Sequence, residues 1–362
     1  MHSSAVNLWK VKEANMYDVK DSCKLHRNYN CRIREVLYNG VKQVNLDNEL
    51  LHIGVLAGKG SDIFEFVYKP KDLDFMWHSF QGVKNPKDYV VTKESSHGKF
   101  LDLYEGGWQE LFPNYGIDSN YMNSELGIHG EVCVASWEYE IVTDTEQEVC
   151  VKFSIRTPRT PYYLEKWLTL KAGIPTLYIR ERVTNEGAVP LQFMWGHHPA
   201  LGAPFLDEYC EIQLNGNCHV HTLAETELAK GMSEQWPKVK DRNGMELDLS
   251  RIRSPKIKKY LEYGISDIED GQFVVWNHKL KVGFGMKWDK EVFPYLWIWE
   301  PNGASPGYPW YGRNYTLGIE PWSHLALGLD EVVAQNKGIS LLPGESKETS
   351  LTASVHLTPA YG

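Results

Sequence analysis

The segment YYLEKWLTLKAGIPTLYIRERVTN, residues 162–185, decides the fold because apolar and polar side chains alternate along both of its halves. Alternation with a period of two residues is typical of a β-strand that buries one face. Gly173 and Pro175 lie between the halves, so the segment predicts an antiparallel hairpin. The apolar residues that we expect on the buried faces of its strands are Leu164, Leu168, Leu170, Leu177, Ile179 and Val183.

The same alternation recurs along the chain. In EVCVKFSIRT, residues 148–157, it predicts one buried face, formed by Val149, Val151, Phe153 and Ile155. Further candidate strands cover residues 52–58, 63–69, 136–142, 191–196, 272–278, 281–288 and 295–300. Helical periodicity is scarce, and its best candidate is LAETELAKGMSEQW, residues 223–236. Many short strands with little helix predict an all-β protein, a large antiparallel β-sandwich.

The organisation of the chain follows from its length of 362 residues. A length prior of about 150 residues per domain suggests two domains, but all-β units often run larger as one. The sequence contains no internal repeat and no long polar linker. We therefore expect residues 1–45 to form a strand-bearing extension that packs on a main sandwich domain of residues 46–362.

Charge and hydropathy limit the classes of binding partner that we expect. The formal net charge is −9 and the acidic residues form no block, which argues against nucleic acid and anionic membranes as partners. No apolar stretch approaches the roughly 18 to 20 residues of a membrane span. The first 20 residues lack the pattern of a secretory signal, so we expect a cytoplasmic protein. Small molecules and proteins remain as partners, and the sequence does not indicate an oligomeric state.

Aromatic residues are abundant, with 13 Trp, 20 Tyr and 12 Phe. Core packing explains most of them, but an aromatic face also packs against the apolar face of a pyranose ring. Trp108, Trp297 and Trp299 lie beside polar, turn-rich motifs. They are the tryptophans that we expect to contact a saccharide.

Four short motifs each place an ionisable or amide side chain among glycines, prolines and aromatic residues: GGWQELFPN (106–114), GIHGEV (127–132), WGHHPALG (195–202) and LGIEPW (317–322). Glu320 lies between apolar neighbours, where burial raises a carboxyl pKa toward the range of a general base. His129 lies next to a glycine, where the chain can bend and approach a ligand closely. His197 and His198 are adjacent, so in a strand only one of them faces a given pocket and the other supports it. We count His197 among the residues expected to bind the substrate.

Cofactor motifs are missing from the sequence. GKGSDIFEF, residues 58–66, lacks the pattern of a phosphate-binding loop, and the motif of a serine nucleophile is absent. His129, His197, His198 and Glu320 are of ligating types, but they lack the spacing of a zinc motif. We expect neither a cofactor nor a metal.

Taken together and in this order, GKGSDIFEF and the four motifs resemble those of the aldose 1-epimerase family, the galactose mutarotase-like proteins. The resemblance covers roughly residues 45–360 and implies a galactose mutarotase-like β-sandwich. It implies interconversion of the α and β anomers of an aldose by acid/base ring opening, with His198 as the general acid and Glu320 as the general base. It further implies His129 as a second pocket histidine, Asn114 as a polar pocket residue and a sugar-lining strand that carries Trp297 and Trp299.

The chain also departs from that family. Lys59 and Asp62 occupy the region where galactose mutarotases carry an arginine, and ALG follows His198 and Pro199 in place of the usual aromatic pair. The identity of the sugar, and whether it is free, phosphorylated or sulfonated, stays open. One alternative is a glycoside hydrolase or lyase, which normally needs a second carboxylate, here Glu110 or Glu300. The other is a sugar-binding protein of the same fold without catalysis.

Overall fold

Two large antiparallel sheets contain most strands of the described residues, 27–90 and 95–359 of a computed structural model. With strands numbered in chain order, the larger sheet contains, from edge to edge, β1 (Arg32–Tyr38), β2 (Val41–Asp47), β3 (Leu51–Leu56), β4 (Asp62–Tyr68), β6 (Trp108–Leu111), β14 (Gly196–Leu201), β24 (Leu317–Trp322), β23 (Tyr295–Glu300), β20 (Leu261–Ser266), β16 (His219–His221) and β17 (Ser233–Gln235), and β5 (Leu73–Asp74) pairs with β4.

The smaller sheet contains eight strands, in the order β15 (Cys210–Leu214), β21 (Gln272–Asn277), β22 (Val282–Trp288), β26 (Ser346–His356), β12 (Thr176–Asn185), β11 (Tyr162–Lys171), β10 (Glu148–Arg156) and β9 (Glu138–Asp144). Three strand pairs stand apart: β7 (Ser119–Tyr121) with β8 (Ser124–Leu126), β13 (Leu191–Phe193) with β25 (Ile339–Leu341), and β18 (Lys238–Lys240) with β19 (Glu246–Asp248). The α-helices of the described residues are α1 (Ser96–Asp102) and α2 (Leu329–Ala334).

The core lies between the two sheets. Phe66 of β4 packs edge-on against Phe284 of β22, with 5.3 Å between ring centroids. The predicted hairpin is confirmed, because β11 pairs with β12 from Tyr162 opposite Asn185 to Leu170 opposite Leu177. All six apolar residues predicted for its buried face are at most 2% exposed. The expected all-β antiparallel sandwich is therefore the observed fold.

The predicted extension contains β1 and most of β2. Both strands belong to the larger sheet, where β2 pairs with β3 from Val44 opposite Val55 to Asp47 opposite His52. Residues 1–26 lie outside the described residues, and the domain boundary at residue 45 stays a prediction. Across the described segments, no helix is both long and apolar enough to span a bilayer.

The predicted helix over residues 223–236 is wrong. This segment forms turns and then β17, which pairs with β16 at the edge of the larger sheet. The Thr222 hydroxyl donates to the carbonyl of Ala229 and accepts from the amide of Met232, and Gly231 adopts a φ of +79°. These contacts close a loop between β16 and β17, so the strand pairing overrides the weak helical pattern.

The alternation of buried and exposed side chains along β10 predicts how substitutions change the free energy of unfolding. Phe153 of β10 is fully buried, whereas the next residue, Ser154, points to the other side of the smaller sheet and is half-buried. Phe153→Ala should lower the free energy of unfolding by about 3–5 kcal/mol through lost burial and a residual cavity. Ser154→Ala should change it by less than about 0.5 kcal/mol. Urea denaturation measures both, and equal losses would contradict the assigned faces.

Candidate active site

Strand pairing places two of the predicted catalytic side chains on one face of the larger sheet. In β14 and β24, Gly196 lies opposite Trp322 and Ala200 opposite Gly318. His198 therefore lies level with Glu320, and residues directly opposite each other in an antiparallel pair share a face. This face, called the outer face, points away from the smaller sheet, whereas the preceding side chain, His197, contacts Glu181 of β12 in that sheet.

His198 and Glu320 are in direct contact. Nε2 of His198 lies 3.2 Å from Oε1 of Glu320, and the two side chains are 7% and 1% exposed. The other carboxyl oxygen accepts a hydrogen bond from Nε1 of Trp322. Burial lowers the pKa of His198 to about 4 and raises the pKa of Glu320 well above its usual range. Burial therefore favours the neutral imidazole of His198 and the protonated carboxyl group of Glu320.

Aromatic rings cover this pair. The hydroxyl of Tyr104 lies 3.4 Å from Nδ1 of His198, and the ring of Trp299 lies 5.7 Å from the His198 ring between centroids. Trp77 and Trp310 pack against both Tyr104 and Trp299. His198 is 5% exposed, so a sugar ring can reach it only when a covering side chain moves.

His129 completes the outer-face cluster. Its ring lies 5.6 Å from that of His198 and 4.4 Å from that of Phe100, between centroids. Its Nδ1 is buried without a hydrogen-bond partner among the described residues. Burial, with His198 nearby, lowers the pKa of His129 well below its usual range, so this imidazole is neutral. It can accept or donate one hydrogen bond to a ligand.

Glycines explain why two of the sequence motifs adopt their local backbone. Gly130 has a φ of +74°, and a Cβ there would lie 2.0 Å from the carbonyl oxygen of Phe112. At Gly106, with a φ of +92°, a Cβ would lie 2.0 Å from the carbonyl oxygen of Trp77. A side chain at either position would displace backbone. These close approaches hold the His129 turn and the start of β6 beside the site.

The inner face carries His197 and Trp108. Nε2 of His197 lies 3.0 Å from the Glu181 carboxylate, and Nε1 of Trp108 donates to Nδ1 of His197. An indole N–H can only donate, so Nδ1 carries no proton and the proton of His197 is on Nε2. The sequence assigned both residues to substrate binding, but they face the core between the sheets and do not line the site.

Two further residues predicted to line the sugar site, Asn114 and Trp297, make contacts within the protein instead. Asn114 donates to the carbonyls of Ile117 and Gly127, and its oxygen accepts from Ser119 and from the amide of Leu329. This side chain therefore fixes loops around the site. Trp297 lies opposite Glu320 on the outer face, is 1% exposed and packs against Tyr115. Of the predicted sugar-contacting residues, Trp299 is the one in contact with His198.

The candidates for a second carboxylate do not join Glu320. Glu110 lies on the inner face, where it accepts from Nε1 of Trp195 and pairs with Lys166. Glu300 is bonded to Arg253. The conceivable metal ligands are likewise split, because His197 is on the opposite face from His198. Within residues 27–90 and 95–359, no group of three or more His, Cys, Asp or Glu side chains is arranged to hold a metal ion.

Lys59 and Asp62 form a buried cluster with Glu105 on the outer face. Nζ of Lys59 lies 2.6 Å from Asp62 and 2.8 Å from Glu105, and all three side chains are at most 1% exposed. Burial opposes the charge of Lys59, but the two carboxylates together raise its pKa. Burial raises the pKa of Glu105 to about 8. Gln109 of β6 lies directly opposite His198 and is 3.4 Å from Asp62, so it stands between this cluster and the His198–Glu320 pair.

Several residues around the site were missed by sequence reasoning. They are Trp77, Tyr104, Tyr115, Trp310 and Gln109. Gln109 lies inside a quoted motif, and the period of two along WQEL places it on the face opposite Trp108, so a signal was present. The four aromatic residues come from loops, and only the tertiary structure brings them around His198 and His129.

The fold is that of the galactose mutarotase-like proteins. A galactose mutarotase-like protein from Lactobacillus casei ATCC 334 is 14% identical, with 87% of this chain and 100% of that chain covered at a TM-score of 0.59. A candidate aldose 1-epimerase from Klebsiella pneumoniae subsp. pneumoniae MGH 78578 is 16% identical, with 91% and 84% covered at a TM-score of 0.68.

Sequence comparison defines the family. Residues 38–355 match the family described as Domain of unknown function (DUF4432), and the chain belongs to that family. The protein YphB of Escherichia coli (strain K12) is 24% identical over 264 residues, which cover 70% of this chain and 78% of that protein.

Burial of Glu320 predicts a pH-dependent effect of Glu320→Gln. The folded-state pKa of Glu320 is raised, so above about pH 4.5 the unfolded chain releases a proton that the folded protein keeps. Wild-type stability therefore falls with rising pH on account of this group. A glutamine has no proton to release, so the stability advantage of Glu320→Gln should grow from pH 5 to pH 8 in urea denaturation. The exposed control Glu291→Gln should show no such trend, and a flat difference for Glu320→Gln would contradict the raised pKa.

The inner-face contact predicts a structural role for His197. His197→Asn removes the N–H that faces the buried Glu181 carboxylate, which should lower the free energy of unfolding by about 2 kcal/mol. His219 pairs with Asp267 at the surface, so His219→Asn should cost less than about 0.5 kcal/mol. Thermal and urea denaturation compare the two variants. Equal losses would show that the inner-face contact contributes no more than a surface pair.

Proposed function

We propose that the protein is an aldose 1-epimerase that interconverts the α and β anomers of a sugar by acid/base ring opening. The observation that carries the proposal is the contact between His198 and Glu320, 3.2 Å apart in a site enclosed by aromatic rings. The names of the proteins that share the fold, among them a candidate aldose 1-epimerase, support the same activity.

The geometry suits the reaction because the anomeric hydroxyl and the ring oxygen are bonded to the same carbon. A base at one oxygen and an acid at the other must therefore lie next to each other. Glu320 takes the proton of the anomeric hydroxyl while His198 gives a proton to the ring oxygen, and the C1–ring oxygen bond breaks to leave an aldehyde. Rotation about the C1–C2 bond and the reverse proton transfers close the ring on the other face.

Proton accounting also favours this pair. The reaction consumes no net proton, so one proton shared between Glu320 and His198 is sufficient for a full cycle. In the empty site burial favours the neutral forms of both groups, with the proton on Glu320. A bound sugar supplies hydroxyl groups that stabilise carboxylate and imidazolium, which moves the proton to His198 and prepares the pair for catalysis.

The remaining residues act on binding in this proposal. Trp299 packs against the apolar face of the sugar, and the neutral His129 hydrogen-bonds a ring hydroxyl. Trp297 and Asn114 shape the site without donating to the sugar. His197 and Trp108 act from the inner face by fixing the position of β14. No step of the reaction needs an oxidant or reductant or transfers a group to another molecule, so these side chains are sufficient for it.

The test is anomer exchange measured by saturation-transfer NMR over a panel of aldoses. His198→Asn and Glu320→Gln should each lower kcat by about 10²-fold or more, because each removes a proton carrier in the transition state. His197→Asn should keep kcat within a few-fold and act through stability.

If His197→Asn is inactive and His198→Asn is near wild type, the general acid is His197 and not His198. Sugar binding without exchange in the wild type would show a binding protein of this fold. Release of p-nitrophenol from p-nitrophenyl glycosides would show a hydrolase.

A further inference from the structure

Gln109 has an amide whose orientation is fixed by its surroundings. Its Nε2 donates to the carbonyl of Gly106 and lies 3.4 Å from Asp62 Oδ2 and 3.5 Å from Glu105 Oε1. The Gly106 carbonyl and the Asp62 carboxylate can only accept, so an amide turned the other way would place its oxygen against both. Oε1 of Gln109 must therefore point away from them.

That oxygen is a buried acceptor without a donor. Gln109 is 0% exposed, and its Oε1 has no hydrogen-bond partner among the described residues. The same holds for Oδ1 of Asp62. Buried polar atoms in folded proteins nearly always have partners, and an exception beside an active site indicates a place for a ligand. Both atoms lie on the outer face, with Gln109 directly opposite His198.

Lys59 cannot serve as a free cation in this cluster. Its Nζ donates to Asp62 Oδ2 and Glu105 Oε1, and the other Glu105 oxygen lies 2.8 Å away. The Asp62 carboxylate balances the charge of Lys59, and Glu105, whose pKa is raised to about 8, is protonated at neutral pH. The cluster thus offers acceptors and no free positive charge, which suit a hydroxyl group and disfavour a phosphate, sulfonate or carboxylate.

The order of strands orients the sugar relative to this cluster. Glu320, His198, Gln109 and Asp62 lie on four successive strands, β24, β14, β6 and β4, about 4.8 Å apart. In the proposed reaction Glu320 contacts the anomeric hydroxyl and His198 the ring oxygen. The next atoms in the same direction are C5 and the exocyclic C6 of a hexopyranose, so its 6-hydroxyl is the group that meets Gln109.

We propose that Gln109 and Asp62 form the subsite for an uncharged 6-hydroxyl, so that the substrate is a free hexose and not a hexose 6-phosphate or 6-sulfonate. The inference rests on the proposed function for the direction in which the sugar lies. Gln109 acts as a specificity-determining residue, and the Lys59 cluster holds its amide in place.

The experiment uses D-glucose, D-galactose and D-mannose, each with its 6-deoxy and 6-phosphate form. Wild-type exchange should be most efficient for the 6-hydroxyl form, with kcat/KM roughly 10-fold lower for the 6-deoxy form, as expected for one lost hydrogen bond, and lowest for the 6-phosphate. Gln109→Met keeps the length of the side chain and removes the acceptor. It should raise KM for the 6-hydroxyl form to that of the 6-deoxy form and leave kcat for the 6-deoxy form unchanged.

Two further variants complete the test. Asp62→Asn removes the carboxylate that balances Lys59, so the cluster becomes more positive and should discriminate less against the 6-phosphate. Gln335→Met changes an exposed glutamine at the end of α2 and should behave as wild type. Circular dichroism and thermal melting confirm that each variant is folded before its kinetics are compared.

Failure of the inference is distinguishable from failure of the proposed function. Two results would overturn the proposed subsite without contradicting the epimerase activity. One is equally efficient exchange of the 6-hydroxyl and 6-phosphate forms, and the other is a 6-hydroxyl preference that survives in Gln109→Met. Absence of exchange for every sugar would overturn the epimerase. In that case, saturation-transfer difference NMR would measure the binding of the 6-hydroxyl and 6-deoxy forms to wild type and to Gln109→Met. A 6-hydroxyl preference that is lost in Gln109→Met would support the subsite, and one that survives would overturn it.

Discussion

The pairing of β14 with β6 on one side and β24 on the other is the constraint on which the candidate site depends. It places His198 level with both Gln109 and Glu320 on the outer face, and His197 level with Glu110 on the inner face. Side chains alternate along a strand, so a shift of one residue in this pairing would exchange the two histidines. The inner-face contact of His197 with Glu181 opposes that shift, because it would leave a buried carboxylate without its donor.

Desolvation governs the chemistry on both faces of the larger sheet. On the inner face, Lys166 forms an ion pair with Glu110, and His197 donates to Glu181. On the outer face, Lys59 donates to Asp62 and Glu105. His198 and Glu320 differ from these sets because they have no permanent counter-charge and are held as a neutral pair. Groups whose protonation depends on what lies beside them are suited to proton transfer, and the charged sets around them are suited to holding shape.

The aromatic enclosure links this electrostatic arrangement to substrate entry. Trp77, Tyr104, Trp299 and Trp310 contact one another above His198 and exclude water from the pair. In the proposed function, a sugar displaces part of this packing and replaces it with its own apolar face and hydroxyl groups. Glu320 and His198 then stay desolvated with and without the sugar, which preserves the strength of their interactions.

The fold was determined largely by the sequence itself. Period-two alternation along residues 148–185 is a local property, so it predicted β10, β11 and β12, their buried faces and the antiparallel hairpin of β11 and β12. The adjacency of His197 and His198 also required, by strand geometry alone, that they face opposite sides. Local pattern failed at residues 223–236, where pairing between β16 and β17 outweighed a weak helical period.

The composition of the site was decided by the tertiary structure. Which histidine faces Glu320 depends on the register between β14 and β24, whose residues are more than a hundred positions apart in the chain. Trp108 and Trp299 look alike in the sequence, yet one lies in the core and the other beside His198, because burial depends on what packs against each face. Likewise, Gln109 becomes an acceptor beside His198 only because Gly106, Asp62 and Glu105 surround its amide nitrogen. Local sequence sets the alternation of side chains, but long-range contacts set what each side chain meets.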